Sequence, residues 1–199
     1  MRTCYIVGAA PFMGEIRVDP DDLLIAADGG WLSLRERALT PHLAVGDFDS
    51  SEVPDGIPIV RHPVEKDDTD TALAVREGMR RGYTHFVLYG CTGGRPDHTL
   101  AAIGTLHRMA KEGLFGYLVF EGMVATVVYE RTLCFSPRGT VSVLSLSDVS
   151  EGVTLKGLKY PLADARLTSD TPLGVSNEGY GTEACVTVKK GALLVLWAV

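Results

Sequence analysis

Long apolar runs are missing from this 199-residue chain: the longest, Ala192 to Val199, falls far short of the roughly 20 residues that a membrane-spanning helix requires. A basic excess is missing as well. The 19 Lys and Arg stand against 25 Asp and Glu, a formal net charge of −6, which excludes a general nucleic-acid binder because phosphate backbones demand a clustered basic face. An anionic small molecule carried by a divalent cation is still allowed. Cysteine is sparse. Cys4, Cys91, Cys134 and Cys185 lie far apart, without the paired spacing of zinc sites or redox motifs; the expectation is four reduced, mostly buried thiols and no disulfide. Met1 to Gly14 offers one Arg and only a short apolar stretch before Gly8, Pro11 and Glu15, too little for a signal peptide. The expected location is the cytoplasm, with neither membrane nor nucleic acid as partner.

What is present is enough apolar sequence, 46% of residues, to bury a core without staples. Residues 1–125 carry 12 basic and 18 acidic side chains and residues 126–199 carry 7 and 7, so the whole excess of −6 sits in the first part. The hydrophobic pattern changes at the same place, which predicts domains at 1–125 and 126–199. In the first, short apolar runs at Thr3–Val7, Leu23–Ala27, Leu43–Val45, Ile57–Val60, His85–Tyr89 and Tyr117–Phe120 read as strands, and Thr71–Arg81 and Asp97–Glu112 as helices. The second helix carries an apolar stripe from Leu100 to Ala110, Pro96 before it and Gly113 after it. Strands alternating with helices mean an α/β domain with a mainly parallel sheet. After Ala125 seven short β-rich runs are separated by turn signals such as Ser136-Pro137-Arg138-Gly139, which predicts an all-β antiparallel sandwich.

Four polar clusters follow predicted strands, where open α/β sheets place their ligands. Ala27-Asp28-Gly29-Gly30 permits close backbone approach, or is simply a turn capped by Asp28. Gly46-Asp47-Phe48-Asp49-Ser50 sets two carboxylates one residue apart, a pair suited to a hard cation that keeps waters and phosphates as its other ligands. Lys66-Asp67-Asp68-Thr69-Asp70 opens a helix, with Asp68 or Thr69 as its cap and Asp67 and Asp70 on one side of the first turn. Gly93-Gly94-Arg95-Pro96-Asp97-His98 suits a phosphate at a helix start but lacks the Gly-Lys-Ser/Thr ending of a P-loop. His42, His62, His85 and His107 read as structural or surface residues. So many carboxylates along one sheet edge would repel one another unless a cation joined them. Mg²⁺-dependent phosphoryl or nucleotidyl chemistry is the expectation.

These four clusters, in this order, resemble the thiamine pyrophosphokinase family, and Gly157-Leu158-Lys159-Tyr160-Pro161-Leu162 and Gly174-Val175-Ser176-Asn177-Glu178 extend the resemblance over nearly the whole chain. It implies an α/β catalytic domain, a C-terminal β-sandwich and a homodimer with active sites near the interface. It also implies transfer of the pyrophosphoryl unit of ATP to the hydroxyethyl oxygen of thiamine, releasing AMP. The implied Mg²⁺ ligands are Asp47, Asp49 and Asp70, with Asp67 as a further ligand or as the base for the thiamine hydroxyl. Lys66 and Arg95 would hold phosphate oxygens. Asp28, Gly29 and Gly30, with Asp97 and His98, would line the nucleotide site, and Ser176 and Asn177 would lie beside the thiamine pyrimidine. Alternatives are a relative acting on another primary alcohol such as a hydroxymethylpterin, a haloacid-dehalogenase-like phosphohydrolase using Asp47 as nucleophile, and a non-catalytic binding module.

Overall fold

The computed structural model describes residues 2–48, 55–62 and 68–199. They form two units, residues 1–105 with 114–121 and residues 106–113 with 122–199. In the first, strands β1 (Thr3–Val7), β2 (Leu23–Ala27), β3 (Leu43–Gly46), β4 (Ile59–Arg61), β5 (His85–Tyr89) and β6 (Phe115–Phe120) lie in the order β6-β5-β1-β2-β3-β4. All of these pairings are parallel. All five residues of β2 are buried, as a strand covered on both faces must be. The chain passes from β1 to β2 on one side and later returns to β5 on the other side of β1. Loops leaving β1 and β5 therefore diverge and open a crevice at the carboxyl ends of the strands.

The helices follow local signals where such signals exist. Helix α2 (Asp70–Arg80) starts at Thr69, whose Oγ1 accepts from the Ala72 N–H at 3.2 Å, as a threonine N-cap does. Helix α3 (Pro96–Lys111) begins on a proline that has no N–H to leave unpaired. Its buried stripe is Ala102, Leu106, Met109 and Ala110, whereas Leu100, expected on that stripe, is 69% exposed. Helix α1 (Gly30–Glu36) was not expected from the sequence. It has no side-chain cap and no acid in its first turn, and burial of Trp31 and Leu34 against Val7, Leu24 and Ala26 accounts for it.

The second unit pairs β7 (Met123–Tyr129), β9 (Arg138–Ser145), β12 (Asn177–Tyr180) and β14 (Ala192–Ala198) in the order β12-β9-β14-β7. A second sheet holds β8 (Thr132–Phe135), β10 (Val149–Lys156), β11 (Leu162–Thr168) and β13 (Ala184–Thr187) in the order β11-β10-β13-β8. These pairings are antiparallel. Alternate residues Val141 and Val143, Val153 and Leu155, Ala184 and Val186, Leu193 and Val195 form its core, as the period of two requires. The α/β unit followed by a β-sandwich is the fold class expected from the sequence. No described helix is long and apolar enough to cross a membrane.

The cysteine expectation needs correcting. Cys134 and Cys185, 51 residues apart, form a disulfide, while Cys4 and Cys91 are free and buried. Antiparallel pairing of β8 with β13 sets the two residues directly opposite each other, a juxtaposition that their separation in sequence conceals.

Candidate active site

A cleft of about 540 Å³ opens at the carboxyl ends of β1, β2 and β5. Its floor is Gly8 to Pro11 after β1 and Gly90 with Cys91 after β5; Asp28 and Asp70 line it from the ends of β2 and the start of α2, and Arg95 and His98 from the start of α3. Four expected site residues from three separate clusters thus meet in one concavity. The Gly8–Pro11 loop and the Gly90-Cys91 pair were missed. The available signal was a glycine at the end of each apolar strand.

Burial lifts the Cys91 thiol to about 11, so it stays protonated and donates to the Tyr89 carbonyl at 3.2 Å. It is a filler of the cleft floor and not a nucleophile.

At the opposite wall the Arg95 guanidinium grips Asp97 with two hydrogen bonds, Nε to Oδ1 at 3.2 Å and Nη2 to Oδ2 at 2.6 Å. The guanidinium holds the Asp97 carboxyl below the usual aspartate range. Both side chains are exposed, so the pair contributes little to stability. It orients a planar cation at a helix N-terminus, where phosphate oxygens are favoured.

The acidic turns after β2 and β3 are built against each other. The Asp28 N–H donates to the Val45 carbonyl at 2.8 Å, and a Cβ on Gly46 would come within 3.1 Å of the Asp28 Cα. Asp28 has φ of +46° and Phe48 has φ of +56°. A left-handed aromatic costs on the order of 1–3 kcal/mol, and burying its ring returns roughly 1.5–3 kcal/mol; Phe48 is 7% exposed within the apolar cluster of the first unit. Asp47 precedes it, half-buried, at the end of β3. Asp49, Lys66 and Asp67 lie outside the described residues. Among the described residues no three His, Cys, Asp or Glu side chains form a metal-holding group.

Gly29 and Gly30 do not line the cleft; Gly30 sits where a Cβ would overlap the Val7 carbonyl. Asp68, which the sequence offered as a cap, pairs with Arg76. In the second unit Asn177 is 4% exposed. Its Oδ1 accepts from the Tyr160 N–H at 2.9 Å and its Nδ2 donates to the Tyr160 carbonyl at 2.8 Å. Ser176 has φ of +60° and its N–H donates to the Ser142 Oγ at 3.2 Å.

Comparisons with known proteins cover both units. Residues 17–117 match the thiamin pyrophosphokinase catalytic domain and residues 132–193 the thiamin pyrophosphokinase vitamin B1 binding domain. The thiamine pyrophosphokinase of Bacillus subtilis is 28% identical over 98% of each chain. A crystal structure of thiamine pyrophosphokinase from Bacillus subtilis superposes with a TM-score of 0.89 at 25% identity, covering 99% of both chains. One from Geobacillus thermodenitrificans gives 0.86 at 25% identity, covering 99% of this chain and 97% of that one. This chain belongs to the thiamine pyrophosphokinase family of transferases.

Proposed function

We propose that this chain transfers the pyrophosphoryl group of ATP to the hydroxyethyl oxygen of thiamine, yielding thiamine diphosphate and AMP, with Mg²⁺ as cofactor. The observation that carries this is the single cleft in which Asp28 and Asp70 line one part and Arg95 and His98 another, in a chain matched by both family domains. Its carboxylates, Asp28 and Asp70, with Asp47 following β3 on the strand paired to β2, fit a hard cation that keeps water and phosphate ligands. Asp47, Asp49 and Asp70 would hold the ion. When bound with ATP, Mg²⁺ supplies neutralisation of the phosphate charge that grows toward the departing AMP.

The remaining work belongs to side chains. Arg95 would exchange Asp97 for phosphate oxygens, Lys66 would hold a second set, and the opening turn of α3 would turn its N–H groups to the same anion. Asp28 and His98 would border the nucleotide, with Asp97 holding Arg95 beside it and Gly29 and Gly30 supporting Asp28 from the turn behind. Asp67 would orient the thiamine hydroxyl and take its proton as the oxygen attacks the β-phosphorus. Ser176, and Asn177 through the Tyr160 backbone that it holds, would shape the thiamine site. A homodimer belongs to the same reading, supported by exposed Tyr160, Leu173, Val175 and Tyr180 in the second unit; so does a cytoplasmic location, because ATP is the donor.

The test is incubation with Mg²⁺, ATP and thiamine, following AMP and thiamine diphosphate by chromatography. Equal formation of both is expected. Asp47→Ala should retain its melting temperature and lose at least about 10²-fold in turnover. AMP formed with a hydroxymethylpterin but not with thiamine would reassign the acceptor, and absence of AMP with either would sink the proposal.

A further inference from the structure

Phe48 stands between Asp47 and Asp49, yet nothing in its chemistry binds a phosphate or a cation. Three observations set it apart. Its backbone is left-handed, φ +56°, a region that bulky residues rarely occupy. Its ring is buried with Val7, Phe12, Leu24, Trp31, Leu34 and Ala44, and the Arg61 guanidinium of β4 lies 5.9 Å from its centroid. Finally, the strand end that leads into it is fixed on both sides, by the Asp28 N–H on the Val45 carbonyl at 2.8 Å and by the His62 N–H on the Gly46 carbonyl at 3.2 Å. The end of β3 is therefore held by backbone bonds, and the residue after Asp47 by a ring sunk in the core.

An aspartate turn at the end of a strand would ordinarily be free to adopt several conformations, since Asp and Gly favour turns of many kinds. Here the residue after Asp47 cannot rotate without pulling its ring out of the cluster. We propose that Phe48 is a positioning residue, the anchor that fixes the backbone of Asp47 at the end of β3, where Mg²⁺ would bind with the nucleotide. This rests on the reaction proposed above. Rigid support of this kind sets how well ligands are arranged before the ion arrives.

Phe48→Gly separates the anchor from the conformation, because glycine adopts positive φ freely while the ring is lost. Phe48→Leu keeps an apolar anchor. Leu34→Ala removes a different side chain of the same cluster, from α1, and leaves the sequence after β3 intact. For each, calorimetric titration with Mg²⁺ and a non-hydrolysable ATP analogue gives the affinity, turnover against Mg²⁺ concentration gives the metal requirement, and melting gives the fold. Phe48→Gly is expected to need at least about tenfold more Mg²⁺ in both the calorimetric and the kinetic titration, with the thiamine KM unchanged. Phe48→Leu is expected to recover to within about threefold of the parent, and Leu34→Ala to match the parent while melting lower. Parental Mg²⁺ affinity in Phe48→Gly overturns the inference, as does an equal loss in Leu34→Ala or failure of Phe48→Leu to recover any of it. A parent that releases no AMP refutes the reaction instead, and the calorimetric arm then still decides the role of Phe48.

Discussion

Gly29 and Gly30 are neighbours in one motif, and the structure gives them different tasks. The sequence offers both as places where backbone could approach a ligand. At Gly30 the close approach is made by the Val7 carbonyl of β1, a contact between residues 23 positions apart in the chain. Gly29 has ordinary helical φ of −63°, and a Cβ there would meet only the Ala9 Cβ at 3.2 Å. Gly30→Ala must push α1 off β1 and should cost about 1–3 kcal/mol, read as a lower midpoint in urea. Gly29→Ala should cost less than about 1 kcal/mol. Equal losses would mean that the α1–β1 contact does not decide the position. The acidic residues were legible because carboxylates at strand ends announce themselves by type and place. The partner of Gly30, the ring anchor at Phe48 and the loop from Gly8 to Pro11 were not, since each depends on which strands become neighbours.

Helix α2 illustrates the same division one scale up. Its start is written locally, in Thr69 and the turn that follows. Its end is held by a buried carboxylate: Glu77, 6% exposed, accepts from Arg80 Nε at 3.0 Å and from Arg81 Nε at 2.8 Å. Burial alone would raise the Glu77 carboxyl, but the hydrogen bonds and charges of the two arginines outweigh it and hold it below its ordinary value of 4.5. A carboxylate depressed in the folded state contributes stability that is complete above its unfolded pKa and is lost as pH falls through the folded value. The stability of the parent should accordingly drop below about pH 4.5. Glu77→Gln should be less stable by about 1–3 kcal/mol at pH 7 and show a shallower acid limb in melting against pH. Parallel acid limbs would assign the acid sensitivity to other carboxylates. Strands β1 to β5 and helices α2 and α3 were foreseen because their periodicity and caps are local. Helix α1 and strand β12 were not: the first lacks a cap, and the second, Asn-Glu-Gly-Tyr, has almost no β signature and exists by pairing Asn177 with Val141 and Tyr180 with Arg138.

Across the whole chain, charge and core divide the work. The excess of −6 falls in residues 1–125, which hold the cleft with its carboxylates, while the sandwich strands carry a separate apolar cluster with no share of that excess. Into this neutral unit the structure places the Cys134–Cys185 disulfide on β8 and β13. Cys134 is exposed, so a reductant has access to it. The proposed use of ATP would set this chain where such bonds are rare, so the sandwich's dependence on the bond would follow the molecule's surroundings. Closing a loop of 51 residues is worth about 4 kcal/mol by the chain-entropy account. At roughly 2–4 °C per kcal/mol for a chain of this size, the double variant Cys134→Ser with Cys185→Ser should melt about 8–16 °C lower than the oxidised parent. Reduced parent should fall with it. Binding of Mg²⁺ with an ATP analogue, which the proposed function assigns to the cleft of the first unit, should be unchanged in both at 25 °C by calorimetry. A melting temperature indifferent to reductant would show that the paired strands, with Thr132 Oγ1 and Thr187 Oγ1 already 2.8 Å apart across them, hold that edge of the sheet without the bond.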